Sequence, residues 1–504
     1  MKPKAYKHQA EALSISKDKI SFAYLMEMGS GKTRVVIENV DYLYENKKIE
    51  AVVIFCPNGL QFNWMLNEFP KWTESTYLCS VWTSTPNIKQ KISLANLTSD
   101  RPGYEGLKIL IANYESVRST SFQTYIKDFL KKFKTIMVLD ESTRIKNKSA
   151  KQTKFILSLT KLTKYRRIMS GLVSPNSPLD VYSQFEFLNP NILGFGSYFT
   201  FKNHFAIIED NARLLNAIKQ RSGSNRVPQL IKKDSLGNAM YKNLDQLSEL
   251  IEPHSFRCLK SECLDLPEKV YKKIIIELSK KHRKIYDLVN DEILAEFETG
   301  TITVQLAIVR MLRLQQITGG FWKKDDDELM PIDDDFPKLD AIMDSIESTT
   351  GKVAIWTHYQ IENNLIAAKL KKEYGNNSVV QYFGGVSKKE KELAVDRFSN
   401  IVRDETGIPH DEDTGCRFFV GEPHSGGIGL NLVLAENVYY YSNSFNLEDR
   451  LQSEDRHHRS GTKHTVTYYD IEALNTIDSK IISSLREKKN IAATITRDTF
   501  KEWI

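Results

Sequence analysis

A glycine-rich turn near the start of the chain has the residue types that bind phosphate. Met28-Gly29-Ser30-Gly31-Lys32-Thr33 follows the apolar run FAYLM and precedes the helical run TRVVIENV. Small residues let backbone N–H groups close around phosphate oxygens, and a helix N-terminus adds partial positive charge. We expect Lys32 to reach the β- and γ-phosphates and Thr33 to ligate Mg²⁺. The turn therefore predicts a site for ATP and Mg²⁺.

Two acidic residues at the end of another predicted strand would complete such a site. Asp140 and Glu141 directly follow the apolar run TIMVL. We expect Asp140 to hold Mg²⁺, and Glu141 to orient and deprotonate the attacking water. A lone pair of acids at a strand end is commonly only solvated, but the GKT turn upstream favours the catalytic interpretation.

A charged segment late in the chain carries residues suited to stabilising a transferring phosphoryl group. Gln452, Arg456 and Arg459 are spaced by four and three, which predicts one face of a helix. Taken alone, the pattern also fits a surface helix with salt bridges. Arginines that contact the γ-phosphate in the transition state accelerate hydrolysis by roughly 10³–10⁵. Because these residues and the phosphate turn lie in different halves of the chain, ATP is expected between two domains that close and open.

Short apolar runs that alternate with helical patterns must position these residues. Such runs predict parallel strands covered by helices on both faces. Two series of them, separated by a long helical stretch, imply two α/β domains. The predicted strands are 51–57, 108–114, 135–141, 165–171, 352–359, 378–385, 417–423, 437–443 and 465–471.

Composition sets limits on the class of protein. The chain has 504 residues, which suits two or three domains, and a net charge of +6, which permits a polyanionic partner. No apolar run approaches the length of a membrane span, and the start lacks the apolar stretch of a secretory signal. The five scattered cysteines do not have the spacing of a disulfide framework or a zinc site. We expect a cytoplasmic protein with reduced thiols and no membrane partner.

Taken together, these motifs resemble those of superfamily-two helicases, and more narrowly the Swi/Snf-related DNA-dependent ATPases. The resemblance runs from residue 6 to about residue 489. MEMGSGKT is similar to the family's DEMGLGKT, and DESTRIKN (140–147) corresponds to its DEAH-type box. The most specific stretch is 424–471, which is similar to the fifth and sixth motifs almost throughout. The resemblance makes Tyr6 and Gln9 candidates for reading adenine and adds Gly429 to the nucleotide site.

The resemblance also implies a fold and its boundaries. The fold is α/β, with two tandem RecA-like parallel-sheet lobes and helical insertions between and within them. We expect lobe one at 1–190, its helical insertion at 191–260, a helical protrusion and linker at 261–345, and lobe two at 346–504.

Backbone and side-chain contacts to DNA phosphates follow from motif positions in the family. For any single residue, loop capping is an equally good interpretation. The candidates are Asn58, Asn63, Tyr114 and Arg144 in lobe one, and Thr357, His358, Gly384, Ser425, Gly426 and Asn431 in lobe two.

Two departures from the family pattern bear on how ATP hydrolysis is coupled to DNA. The third motif, S/T-G-T-P in the family, is Ser170-Gly171-Leu172-Val173 here. The residues after Asp140-Glu141 are Ser142-Thr143 in place of Ala-His, so an interaction made by that histidine would have to change.

The leading hypothesis is an ATP-dependent DNA translocase or helicase that remodels duplex or branched DNA, by branch migration or fork remodelling, in replication, recombination or repair. One alternative is a strand-separating helicase on DNA or RNA. The other is an ATP-regulated DNA-binding scaffold with little hydrolysis. We expect a monomer whose partner is duplex, forked or junction DNA.

Overall fold

The computed structural model describes residues 3–99, 105–211, 229–234, 238–298, 304–322, 328–404, 408–425 and 430–498. Its first lobe is built on a seven-stranded sheet in which every paired strand is parallel. The strands are β1 Ser21–Met26, β2 Ala51–Cys56, β3 Tyr77–Val81, β4 Leu107–Asn113, β5 Thr135–Asp140, β6 Tyr165–Met169 and β7 Ser255–Cys258. Their order across the sheet is β3-β4-β2-β5-β6-β1-β7.

The second lobe has a six-stranded parallel sheet. Two short antiparallel ribbons lie outside this sheet. The remaining strands are β8 Lys269–Ile276, β9 Phe321–Trp322, β10 Met330–Pro331, β11 Lys352–Trp356, β12 Val379–Tyr382, β13 Ile401–Arg403, β14 Pro409–Asp411, β15 Phe418–Gly421, β16 Ala435–Tyr440 and β17 Val466–Ala473. The sheet order is β12-β15-β11-β16-β17-β8, and the ribbons pair β9 with β10 and β13 with β14.

Helices cover both faces of each sheet. The α-helices of the described residues are Lys7–Ser16, Lys32–Glu45, Gln61–Asn63, Phe69–Trp72, Ile88–Leu97, Thr120–Lys132, Lys151–Leu159, Val181–Leu188, Tyr198–Phe205, Leu244–Ile251, Lys260–Cys263, Lys280–Glu298, Val304–Thr318, Pro337–Glu347, Gln360–Tyr374, Lys388–Phe398, Leu447–His457 and Ile477–Thr496. A five-residue π-helical turn, Trp64–Glu68, joins Gln61–Asn63 to Phe69–Trp72. None of the helices in the described part of the chain combines the length and apolar character needed to cross a membrane.

The continuous apolar strands lie where the sequence predicts, and for the expected reason. All six residues of β2 and all six of β5 are buried, because helices pack on both sides of the sheet. Separate apolar clusters fill the two faces of the lobe-one sheet. The predicted two-lobe α/β fold with parallel sheets is confirmed.

The domain boundaries differ from those predicted. Strand β7 lies in the range predicted as a helical insertion, but it pairs with β1 at the edge of the lobe-one sheet. Strand β8 lies in the predicted linker, but it pairs with β17 in lobe two. The last helix, Ile477–Thr496, extends from lobe two to lobe one, where Ile495 joins the lobe-one core.

Candidate functional site

The phosphate turn has the predicted strand–turn–helix geometry. Strand β1 ends at Met26 and the next helix begins at Lys32. Gly29 and Gly31 adopt φ values of 82° and 89°, in the left-handed region that favours glycine. A Cβ on Gly31 would lie 2.1 Å from the side-chain nitrogen of Gln9. Only glycine therefore fits at that position.

Lys32 is held at this turn by neutral acceptors. Its Nζ donates to the carbonyl oxygens of Met26 at 2.8 Å and Glu27 at 3.3 Å. The side chain is buried, and its charge opposes the effect of burial, which raises the pKa of Asp140 and Glu141. The ammonium group thus lies between the phosphate turn and the acidic pair, where phosphate oxygens and a metal ion would meet.

The beginning of the first helix contacts the phosphate turn directly. The amide nitrogen of Gln9 donates to the Ser30 carbonyl at 3.1 Å, and its oxygen accepts from the Tyr6 backbone N–H at 3.1 Å. A ring nitrogen of His8 lies 2.8 Å from the same Ser30 carbonyl. The Tyr6 ring is 57% exposed and stacks on His8, leaving an open aromatic surface beside the turn. A role for Tyr6 and Gln9 in reading adenine stays a prediction.

The acidic pair lies at the carboxyl end of β5, on the same edge of the sheet as the phosphate turn. The Trp64 indole donates to Asp140 Oδ2 at 3.0 Å, and the Tyr114 hydroxyl donates to the Asp140 carbonyl at 2.8 Å. Burial raises the pKa of both Asp140 and Glu141, and Lys32 opposes this effect. Glu141 has a φ of 51°, an unfavourable angle for a residue with a side chain.

These residues fit MgATP. Gly29 and Gly31 have the positive φ angles that the phosphate turn requires, Lys32 supplies the cation, and Thr33 is half-buried beside it. The two buried carboxyls, Asp140 and Glu141, are the hard oxygen ligands and bases that magnesium-dependent phosphoryl transfer uses. Thr33 and Asp140 remain the predicted magnesium ligands.

The three predicted residues of the late charged segment do not share one helical face. The helix ends at His457, so Arg459 follows the helix. Gln452 donates to Glu448 at 3.3 Å. Arg456 is turned into lobe two, donating to the Pro423 carbonyl at 2.9 Å with its guanidinium 5.1 Å from the centre of the Trp356 ring. Of the two arginines, Arg459 is the one beside the phosphate turn, and contact of Arg456 with a γ-phosphate stays a prediction.

The two lobes meet at the phosphate turn. A Cβ placed on Gly29 would lie 3.5 Å from Lys260 Cε and 3.9 Å from Arg459 Cβ. Lys260 pairs with Asp455 of lobe two and also donates to the His458 carbonyl at 2.9 Å. Its backbone N–H donates to Glu27 at 2.7 Å. The nucleotide site is therefore closed on one side by a lysine that connects both lobes.

A cavity of about 610 Å³ lies between the lobes, next to the acidic pair. Residues from the altered third motif line it together with residues of both lobes. The lining residues include Met28, Glu141, Leu172, Lys260, Gln452 and Lys489.

Both departures from the family pattern lie at the interface between the lobes. Thr143 donates to Glu448 of lobe two at 3.1 Å, and Lys146 is 3.6 Å from the same carboxylate. Leu172 packs against an apolar cluster of lobe two that includes Leu447. A hydroxyl and an apolar side chain of lobe one thus make the contacts to lobe two at these two positions.

Three of the predicted DNA-contact residues line a second cavity of about 640 Å³ between the lobes. Thr357, His358 and Ser425 come from lobe two, and Asn176 comes from lobe one. Arg144 of lobe one is exposed. The pKa of His424, which lines the same cavity, is raised by its interaction with Asp449, and the charge of Arg144 opposes this rise. The predicted contacts that line this cavity come from lobe two, with Arg144 of lobe one nearby, and their role in binding DNA stays a prediction.

Several other predicted DNA contacts are buried or are hydrogen-bonded to neighbouring side chains. Tyr114 is a correction, because its side chain is 1% exposed and is bonded to Asp140. The Thr357 side chain is likewise enclosed, with its hydroxyl 3.5 Å from the Gly421 carbonyl. Asn58 accepts from Asn113 at 3.3 Å, and Asn63 donates to Glu68 at 3.3 Å.

Gly384 and Asn431 are exposed, as a contact to DNA requires. The Gly384 backbone N–H and the Ser425 hydroxyl both donate to Glu422, at 3.4 and 2.6 Å. Gly426 and Gly429 lie outside the described residues.

Sequence reasoning missed the residues that connect motifs to one another. These residues contact side chains that are distant in the chain, so no local spacing in the sequence identifies them. They are Trp64, Lys260 and Glu448. Trp64 ends the segment CPNGLQFNW (56–64), and nothing in that segment indicates that its indole contacts Asp140.

Comparison with known proteins gives related chains over nearly the whole length. An uncharacterised ATP-dependent helicase of Mycoplasma genitalium is 24% identical over 470 residues, covering 92% of this chain and 39% of that protein. A RAD54-like DNA repair and recombination protein of Drosophila erecta is 24% identical over 494 residues, covering 93% of this chain and 59% of that protein. The chain thus spans less than two thirds of these curated relatives.

A solved SWI2/SNF2 ATPase core of Sulfolobus solfataricus, in complex with double-stranded DNA, covers 99% of this chain and 94% of that chain. Its sequence identity is 21% and its TM-score is 0.40. The model of the SNF2-related domain matches residues 22–319, more than half of the chain, including the phosphate turn and the acidic pair. The chain therefore belongs to the SNF2-related family.

Proposed function

We propose that this protein is a DNA-dependent ATPase that uses ATP hydrolysis to translocate along duplex DNA. The observation that carries the proposal is the position of the nucleotide site. The phosphate turn of lobe one lies beside Arg459 of lobe two, and Glu141 of lobe one and Asp455 of lobe two line the same cavity between the lobes. Binding energy at such a site can be converted into relative movement of the two lobes.

Residues of this chain have distinct roles in the proposed reaction. When bound, MgATP supplies the phosphoanhydride bond whose hydrolysis provides the free energy. Lys32 would bind the terminal phosphates, and Thr33 and Asp140 would hold a magnesium ion. Trp64 fixes the orientation of the Asp140 carboxylate. Glu141, whose pKa is raised by burial, accepts the proton of the attacking water.

The proposed DNA path is the second cavity and its rim. Its lining includes His358, Ser425 and Lys488 of lobe two and Asn176 of lobe one, with exposed Arg144 of lobe one nearby. Groups of this kind hold phosphates and carry no sequence information. We therefore expect binding that ignores base sequence and weakens steeply with salt.

The finer role that we propose is remodelling of branched DNA, by branch migration or fork remodelling. Its support is the similarity to a relative named for DNA repair and recombination, together with the motifs that resemble duplex translocases. A strand-separating helicase and a scaffold with little hydrolysis are the competing functions.

Displacement of a third strand from a DNA triplex tests translocation on duplex DNA. We expect displacement that requires ATP and is lost in Glu141→Gln, which retains the shape of the site without the base. Parallel gels with four-way junctions, forks, blunt duplexes and RNA duplexes separate the functions. Unwinding of blunt DNA or RNA without triplex displacement would favour the helicase. Binding of DNA with neither displacement nor turnover would favour the scaffold.

A further inference from the structure

Three metal-binding side chains meet beside the phosphate turn, outside the proposed ATPase machinery. A ring nitrogen of His8 and the sulfurs of Cys258 and Cys263 all lie within 4.8 Å of one another. The two sulfurs are 2.9 Å apart. His8 and Cys258 are buried, and Cys263 is half-buried. His8 is some 250 positions from the cysteines in the chain, so only the fold brings the three together.

Well-defined elements place these residues. His8 is in the first helix, Lys7–Ser16, and Cys258 ends strand β7, opposite Met26 of β1. The Glu27 backbone N–H donates to the Cys258 carbonyl at 2.9 Å, which extends the strand pairing toward the phosphate turn. Cys263 ends the short helix Lys260–Cys263. The first helix thus contributes His8, and strand β7 and the short helix after it contribute one cysteine each.

We propose that His8, Cys258 and Cys263 bind one Zn²⁺ ion. Thiolate and imidazole are the ligands that zinc prefers in proteins, and two cysteines with one histidine form a known type of zinc site. Because Cys263 is half-buried, a water molecule can take the fourth position.

The two sulfurs are closer together than a bound zinc ion requires. With Zn–S bonds of about 2.3 Å, tetrahedral coordination separates two sulfurs by about 3.8 Å. The observed 2.9 Å between the sulfurs would have to increase by roughly 0.9 Å, which rotation about the side-chain bonds of half-buried Cys263 can supply. The coordinated ring of His8 is oriented by the carbonyl of Ser30, in the way that hydrogen-bonded partners hold metal ligands in place.

Such an ion would fasten the nucleotide site to the connection between the lobes. The His8 ring contacts the phosphate turn at Ser30, and the helix that carries Cys263 also carries Lys260, which pairs with Asp455 of lobe two. The alternative to a bound metal is a disulfide between Cys258 and Cys263. A disulfide would not explain why His8 lies beside the two sulfurs.

Cobalt substitution of the full-length, metal-free, reduced protein tests the site. Co²⁺ bound by thiolates absorbs in the near ultraviolet and, when tetrahedral, strongly in the visible. We expect one Co²⁺ per chain with both features, displaced by equimolar Zn²⁺. The features should be lost in Cys258→Ser/Cys263→Ser, weakened in His8→Asn, and retained in Cys79→Ser, a matched thiol in strand β3.

The melting temperature provides a second measurement that does not depend on colour. Zn²⁺ should raise the Tm of the parent and of Cys79→Ser, and it should leave the Tm of Cys263→Ser unchanged. The single variant at half-buried Cys263 covers the case in which the double variant does not fold. The proposal is overturned by the absence of thiolate absorption, by absorption that persists in the double variant, or by recovery of two fewer free thiols than expected without any bound metal.

Discussion

Asp140 owes its orientation to Trp64, a residue 76 positions away whose indole donates to its Oδ2 atom. At the residue scale, such partners decide how well a motif works, because hydrogen-bonded neighbours fix the direction of a metal-binding carboxylate. The sequence identifies Asp140 from its place after an apolar strand. It cannot identify Trp64, since the π-helical turn that carries it is not a repeating pattern.

We expect Trp64→Phe to reduce ATP turnover by about 10- to 100-fold and to raise the Mg²⁺ concentration needed for half-maximal rate, because the carboxylate loses its fixed donor. Turnover measured across a magnesium titration checks this. Trp72→Phe is the matched control, since its indole donates to half-buried Glu68 at 3.2 Å and not to the acidic pair. An equal effect of both substitutions would show that loss of indole packing, and not the bond to Asp140, is responsible.

His457 makes the stability of lobe two sensitive to acid. Trp356 donates to its Nε2 at 3.1 Å, so the neutral ring carries its proton on Nδ1, facing the Leu432 carbonyl. Burial lowers the pKa of His457 to about 3. The unfolded chain therefore binds a proton that the folded lobe does not, once the pH falls below about 6.5.

The free energy of unfolding is accordingly expected to fall with acid, by about 2 kcal/mol from this group between pH 7 and pH 5. Urea unfolding of the parent and of His457→Gln, repeated at several pH values, checks the prediction. The variant should show a shallower pH dependence. Parallel curves for the two proteins would contradict it.

At the element scale, the strands were more predictable than their connections. Apolar runs such as AVVIFC and TIMVLD leave no alternative to a strand buried on both faces. The sequence does not predict strand β8, because this strand lies at the edge of its sheet. Its side chains are a mixture of charged and apolar groups, and they are half-exposed or exposed. Strand β7 is only four residues long, too short for a periodic signal.

The end of the helix Leu447–His457 also shows where local patterns fail. The spacing of Gln452, Arg456 and Arg459 predicts a helix that continues to Arg459. The helix instead ends at His457. The buried Arg450 explains why the helix is held in place, since it forms two bonds to Asp470 of β17, at 2.5 and 3.0 Å, and one to Glu454 at 2.9 Å.

We expect Asp470→Asn to destabilise lobe two by about 3–5 kcal/mol, because it leaves the buried Arg450 with an incomplete set of charged partners. Chemical denaturation measures the change. Asp411→Asn, an exposed position on strand β14, should change stability by less than about 0.5 kcal/mol. A loss under about 1 kcal/mol in Asp470→Asn would show that Glu454 alone suffices to balance the arginine.

At the scale of the whole molecule, the lobes are joined by a small number of polar contacts. Glu448 of lobe two accepts from Thr143 of lobe one, and Lys146 lies 3.6 Å away. Arg257 and Asp498 connect β7 to the end of the last helix, at 2.6 Å. The sequence predicts that two lobes face each other, but it does not predict which residues of one lobe contact which residues of the other.

We expect Glu448→Ala to weaken the coupling between the lobes. The stimulation of ATP turnover by DNA should fall about 5- to 20-fold, which corresponds to the 1–2 kcal/mol expected of a partly buried polar contact. The concentration of ATP for half-maximal turnover should change little, because Glu448 does not touch the phosphate turn. Glu392→Ala, on an exposed helix of lobe two, is the control. Full stimulation in Glu448→Ala would place the coupling elsewhere.

We propose that ATP hydrolysis in the first cavity between the lobes is coupled to DNA bound in the second. Steady-state ATP turnover tests it most directly, measured without nucleic acid and with single-stranded DNA, duplex DNA, a four-way junction and RNA, at low and moderate salt. We expect strong stimulation by duplex or junction DNA that weakens as salt rises. Lys32→Ala should abolish this stimulation, and Lys131→Ala, on the exposed face of a lobe-one helix, should leave it intact. Turnover that is the same with every nucleic acid would show that ATP hydrolysis is not coupled to DNA.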